Sequence, residues 1–175
     1  MTKDELHSGA RTALFQGSFD PFTAGHESIV RRALALFDRV VIAVVHNVNK
    51  SGLLPVADRE RLIASVFADC DRVRVVSSPA LTVDAAREFG ARCLLRGVRT
   101  VADFEYEMTM AQANRDLSGG TLDTVLLYTE PRLAHVSSSL VRELLRFDRD
   151  VTPYMPSRGC WQEILKNVNI IKPIQ

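Results

Sequence analysis

The chain is 175 residues long, 46% hydrophobic and 25% charged, with a formal net charge of +1, a balance ordinary for one globular domain that buries its own core. Such near-neutrality leaves no global field for gripping nucleic acid, so any anion site has to be local. Three cysteines (Cys70, Cys93, Cys160) without C-x-x-C spacing indicate neither a disulfide framework nor a zinc site and fit a reducing cytoplasm; the opening MTKDELHSGARTALF lacks a signal peptide's apolar core, and no apolar run approaches the roughly 18 residues of a spanning helix.

In chain order, a strand TALFQ ends before Gly17 and leads into GSFDPFTAGH. A helix with 3.6-residue spacing is predicted over residues 26–37, followed by a strand RVVIAVV ending at Val45, whose unbroken apolar character suits burial on both faces. A helix over 57–67, a strand RVRVV ending at Val76, a helix over 83–89 and a strand RCLLR ending at Arg96 come next. A helix over 103–117, a strand DTVLLYT ending at Thr129 and a helix over 139–147 complete the alternation. This pattern predicts an α/β fold: a single doubly wound, mostly parallel sheet with helices on both faces. The prolines and glycine of VTPYMPSRG mark a break, so a domain over 11–156 is expected to precede an amphipathic helical tail over 157–175. That tail should pack on the domain or on a neighbouring subunit, with Trp161 as a packing residue.

In such a fold ligands collect beyond the carboxyl ends of the strands, which brings residues 17–26, 47–55, 96–103 and 130–139 to one edge. In the first loop Gly17 permits a sharp turn, Ser18 offers a hydroxyl and an N–H, and Gly25 permits close approach at a helix start. Free amides there, with the helix dipole behind them, favour a phosphate, to which His26 in the first turn could donate; a plain capping turn is the bland alternative. In the second loop Lys50 is the only lysine between Lys3 and Lys166, and its compact charge suits a phosphate oxygen; His46 beside it reads as surface. In the third, Arg96 and Arg99 flank Gly97, which frees a turn, and could clamp separate phosphates with forked hydrogen bonds. Asp103 and Glu107 stand four apart on one helical face, where mutual repulsion argues against mere helix support. In the fourth, Ser137, Ser138 and Ser139 precede a helix, as an N-cap would, and three hydroxyls with exposed amides make a cradle for a triphosphate.

GSFDPFTAGH resembles the (T/H)xGH signature of the nucleotidyltransferase superfamily, here in the form TAGH. With DFEYEM and SSSLV followed by RE, the chain is similar from about residue 13 to 156 to the phosphopantetheine adenylyltransferases. The resemblance implies a Rossmann-like nucleotidyltransferase fold and transfer of the adenylyl group of ATP to 4'-phosphopantetheine, giving dephospho-coenzyme A and pyrophosphate. It implies Mg²⁺ and a homohexamer, while the near-neutral charge and the lack of a long apolar run lead to the expectation of no nucleic-acid or membrane partner. Carried over by position, His26 stabilises the transition state. Ser18, Lys50, Thr82 and Arg96 hold phosphopantetheine. Ser18, Phe19, His26, Gly97, Val98, Arg99, Glu107 and the run Leu133, Ala134, His135, Val136, Ser137, Ser138 and Ser139 hold ATP. Three departures stand out: Gln16 where proline is frequent, Pro55 in place of a common hydroxyl residue, and Leu133 and His135 where aromatic or hydroxyl residues are common. A mononucleotide-using relative and a non-catalytic nucleotide-binding module are the competing readings; the HxGH form usual for the first is absent, and the second has little need of His26 beside a second anion site.

Overall fold

The computed structural model describes residues 10–45 and 52–166, so His46 and Lys50 lie outside the described residues. Five strands, β1 (Thr12–Gly17), β2 (Arg39–Val45), β3 (Val73–Ser78), β4 (Cys93–Val98) and β5 (Asp123–Tyr128), form one parallel sheet in the order β3-β2-β1-β4-β5. Around it run α1 (Ala24–Ala33), α2 (Val56–Val66), α3 (Thr82–Glu88), α4 (Val101–Leu117), α5 (Ser138–Arg146) and α6 (Trp161–Lys166). The doubly wound reading is thus correct, and the order in which strands are added reverses between the neighbouring parallel strands β1 and β4.

Side-chain alternation along the strands builds two cores. Ala13 and Phe15 of β1 join Val40, Ile42 and Val44 of β2 beneath α1 and α2, while Leu14, Val41 and Ala43 face α3 on the other side. Burying each such aliphatic or aromatic side chain contributes roughly 1.5–3 kcal/mol, and β2, buried from Val40 to Val44, takes that gain on both faces. Ile164 of α6 belongs to the α1/α2 core. The buried carboxylate of Glu27 accepts from the Ser157 amide at 2.9 Å and pairs with Arg31 at 2.7 Å, tying the segment before α6 to α1.

Predicted boundaries shift at most elements, as where β3 runs on to Ser78 and α4 starts at Val101, and two of the shifts bear on the site. The first helix starts at Ala24 and stops at Ala33, because the Ala35 and Leu36 amides bond carbonyls three residues back, a tighter turn than an α-helix that delivers the chain to β2. β4 runs on to Val98, since Gly97 and Val98 pair with Leu127 and Tyr128. Gly97 therefore frees no turn. A Cβ there would lie 3.2 Å from the Ile29 side chain of α1, so the glycine permits close packing of helix on sheet.

The sheet also forks. β1 registers with β2 from Thr12↔Arg39 to Gly17↔Val44, yet with β4 only at Ala13↔Cys93 and Leu14↔Leu94. Beyond those pairs β1 and β4 part. The gap is spanned by the Arg96 side chain, whose Nη1 donates to the Gln16 carbonyl at 2.8 Å.

Candidate active site

A cleft of about 580 Å³ opens over the fork, and a side pocket of about 70 Å³ adjoins it between β1, β4 and α4. The first wall comes from the β1–α1 turn. A Cβ on Gly17 would sit 3.1 Å from the Phe19 ring, and Phe19 itself adopts a φ of 47°, a left-handed conformation costing a non-glycine residue on the order of 1–2 kcal/mol. Its buried ring, packed against Phe15, Phe22 and His26, holds that turn. The loop that follows the undescribed residues 46–51 is latched to the same turn. The Asp20 carboxylate accepts from the Leu53 and Leu54 amides at 2.7 and 2.8 Å, and Arg59 donates to the Leu54 and Ser18 carbonyls. Pro55 occupies the α2 N-cap without a side-chain cap bond, so this latch holds the helix entry instead.

Thr23 is the N-cap of α1 and His26 its third residue. The Thr23 amide donates to His26 Nδ1 at 3.0 Å, with the Thr23 hydroxyl also 3.0 Å away. Nδ1 is thereby an acceptor, which leaves the proton of the neutral ring on Nε2. Burial, with the cations of Arg99 and then Arg96 adding to it, pushes the imidazole from its ordinary 6.5 down to about 4. At neutral pH His26 is an uncharged N–H donor lining the cleft.

The opposite wall is ionic. Arg96 forks onto Glu107 through Nε (2.8 Å) and Nη2 (2.7 Å), and Arg99 pairs with Asp103 through Nε at 3.1 Å. Asp103 and Glu107 thus share a helical face without repelling, because each holds its own arginine. Burial acts to raise the Asp103 carboxyl, yet its hydrogen bonds from Arg99 bring it below the ordinary carboxylate value. Among the described residues, Arg96 keeps two of its five N–H groups uncommitted.

The third wall is the start of α5. All three serine hydroxyls are engaged: Ser137 accepts from the Leu140 amide at 3.1 Å, Ser138 donates to the Pro21 carbonyl at 2.8 Å, and Ser139 accepts from Arg142 at 3.0 Å. The cradle expected from hydroxyls is instead one of first-turn amides, which a helix leaves unbonded. The hydroxyls fasten α5 to the β1–α1 turn.

Of the sequence-predicted residues, Ser18, Phe19, His26, Arg96, Gly97, Arg99, Glu107, Val136, Ser137, Ser138 and Ser139 line the cleft. Thr82 lines only the side pocket. Val98 is buried in the core, Leu133 is buried, Ala134 and His135 are exposed, the latter packed against Tyr154, and none of the four lines either cavity. Sequence reasoning missed Arg142, which lines the cleft and donates to the Asp20 carbonyl at 2.6 Å; its place one turn after Ser138 was the available signal. It also missed Tyr106, three residues after Asp103, and the Gln16 side of the fork, both of which line the two cavities.

Residues 14–144 match the cytidylyltransferase-like family. The chain is 51% identical over 146 residues to the phosphopantetheine adenylyltransferase of Phocaeicola vulgatus, covering 83% of this chain and 95% of that protein. The chain belongs to the phosphopantetheine adenylyltransferase family. The enzyme of that description from Porphyromonas gingivalis is likewise 51% identical, over 82% of this chain and 93% of its own length. Among solved structures, a bifunctional NMN adenylyltransferase/ADP ribose pyrophosphatase from Francisella tularensis shares the fold with a TM-score of 0.64 at 14% identity, over 90% of this chain and 49% of that one.

Proposed function

We propose how this chain carries out the reaction of its family, adenylyl transfer from ATP to 4'-phosphopantetheine. The acceptor phosphate attacks the α-phosphorus of ATP, a new phosphoanhydride bond forms, and the bond to the bridging oxygen breaks as pyrophosphate leaves. No protein nucleophile is required; catalysis is positioning and charge stabilisation. His26 Nε2–H and the α1 amides meet the charge that builds on the α-phosphoryl oxygens. The uncommitted N–H groups of Arg96 orient the acceptor phosphate, with Lys50 assigned the same task on grounds of sequence alone. Arg99, Arg142 and the α5 amides hold the β- and γ-phosphates, and the side pocket, with Thr82 on its lining, receives the acceptor's arm.

The observation that carries this reading is the 3.0 Å bond from the Thr23 amide to His26 Nδ1, since it supplies a preset neutral donor where a phosphate would lie. Mg²⁺ enters with ATP. Among the described residues no group of three or more His, Cys, Asp or Glu could hold a metal, and the cleft carboxylates Asp103 and Glu107 are each taken by an arginine; the residues do not fit a resident ion, whose ligands would be phosphates and water. Exposed Val101, Phe104, Tyr106 and Met108 on α4 support assembly of copies, for which we propose the homohexamer. Among the described residues no helix is long and apolar enough to cross a membrane, and a cytoplasmic location is proposed with it.

The test is pyrophosphate release from MgATP with 4'-phosphopantetheine and, in parallel, with nicotinamide mononucleotide. Release with the first alone is expected. Release with the second alone would overturn the acceptor, and ATP binding without release with either would overturn the chemistry.

A further inference from the structure

Gln16 lies on β1 just past the last pair that β1 makes with β4. By the two-residue period of a strand its side chain shares the face of Leu14, and Arg96 on β4 shares that of Leu94. These four residues line the side pocket, and Gln16 and Arg96 line the main cleft as well, so Gln16 stands at the passage between the two cavities.

Arg96 and Glu107 at that passage are locked to each other, and Tyr106 is exposed. Gln16 is neither locked nor exposed. It is 8% exposed, and its carboxamide has no hydrogen-bond partner among the described residues; only its backbone carbonyl is used, by Arg96. Every side-chain nitrogen or oxygen that is fully sealed among them does have a partner, so the unpaired carboxamide opens on the cavity. A leucine of similar length would fill the place without the penalty of desolvating an amide. A primary amide that both donates and accepts, held unpaired at the mouth of a pocket, marks a position that a neutral polar ligand group completes.

We propose that Gln16 is a specificity-determining residue for the acceptor, its carboxamide hydrogen-bonding the neutral hydroxyl and amide that follow the acceptor's phosphate. This rests on the acceptor reading given above. Arg96 Nη1 lies 2.8 Å from the Gln16 carbonyl, so a phosphate on the free N–H groups of Arg96 leaves the next few atoms of the acceptor beside the Gln16 side chain. In 4'-phosphopantetheine those atoms carry a hydroxyl and an amide, which match a group that donates and accepts but bears no charge.

The experiment measures kcat and the two KM values for the wild type, Gln16→Leu and Gln16→Met, with 4'-phosphopantetheine and with an unbranched alkyl phosphate carrying neither polar group. Both variants are expected to raise the KM for phosphopantetheine about tenfold, the loss of one well-placed hydrogen-bonding group, while KM for ATP stays within twofold. With the alkyl phosphate, wild type and variants should have the same KM. Failure of the wild type to use phosphopantetheine would sink the acceptor reading and this assignment with it. Wild-type activity with an unchanged acceptor KM in both variants would overturn the role of Gln16 alone, as would an equal rise in both KM values, which marks a merely structural role. If the leucine variant does not fold, the methionine variant decides between these outcomes.

Discussion

The α1 wall and the α4 wall of the cleft face one another with opposite chemistry. At α1 the lining is uncharged: backbone amides and an imidazole kept neutral by burial and aimed by the Thr23 amide. At α4 it carries charge beside Ala102 and Tyr106, yet each arginine already holds a carboxylate, Arg96 on Glu107 and Arg99 on Asp103. Fixed dipoles act where charge develops during a reaction, since they need no reorganisation at that moment. Prepaired cations grip charge that is present throughout. The difference teaches that the first wall should govern turnover and the second should govern binding.

Breaking the uncharged wall should produce the largest effect. His26→Ala is expected to lower kcat by about 10²–10³ with KM for ATP little changed; steady-state kinetics checks this, and a KM-only effect would erase the contrast. On the ionic wall, Arg99→Ala should raise KM for ATP about tenfold, the scale of one charge-assisted hydrogen bond to phosphate, with a smaller loss in kcat. The neutrality of His26 sharpens the comparison further. Its ring resonances should titrate near pH 4 rather than at the ordinary 6.5, as NMR would show. Because the unfolded chain takes up this proton at its ordinary pKa and the folded chain only near 4, stability should fall as pH drops from about 6.5 towards 4. Above that window the contribution is fully present, and the stability curve of His26→Ala should lack this segment. The smallest effect belongs to the third wall: Ser137→Ala, which removes the α5 cap, should cost about 1 kcal/mol of stability by denaturant titration and leave KM for the acceptor unchanged.

Much of this was legible from the chain itself because it is local in sequence. Five apolar runs produced five strands, and the turn at Gly17 with His26 after it is a short-range pattern of glycine, cap and helix start. Arg96 and Arg99 were equally visible as cations near a strand end. Their partners were not, since the pairing with Glu107 and Asp103 depends on how α4 lies across β4, a matter of packing rather than pattern. Gly97 was misread as a turn residue for the same reason: its lack of a side chain answers to Ile29 on a helix far away in sequence. The serine run showed where α5 starts, yet not that its hydroxyls would be spent fastening two loops together. Gln16 passed as a simple departure from proline because only the parting of β1 from β4 uncovers its side chain.

The prepaired arginines carry a consequence for how a nucleotide arrives. An arginine joined to a carboxylate presents a dipole rather than a net charge, and its field fades within a Debye length, about 8 Å at physiological ionic strength. Together with an overall charge of +1, these pairs exert little long-range pull on a polyanion. The pull of this wall is therefore short-ranged, and its selection of a nucleotide begins close to contact.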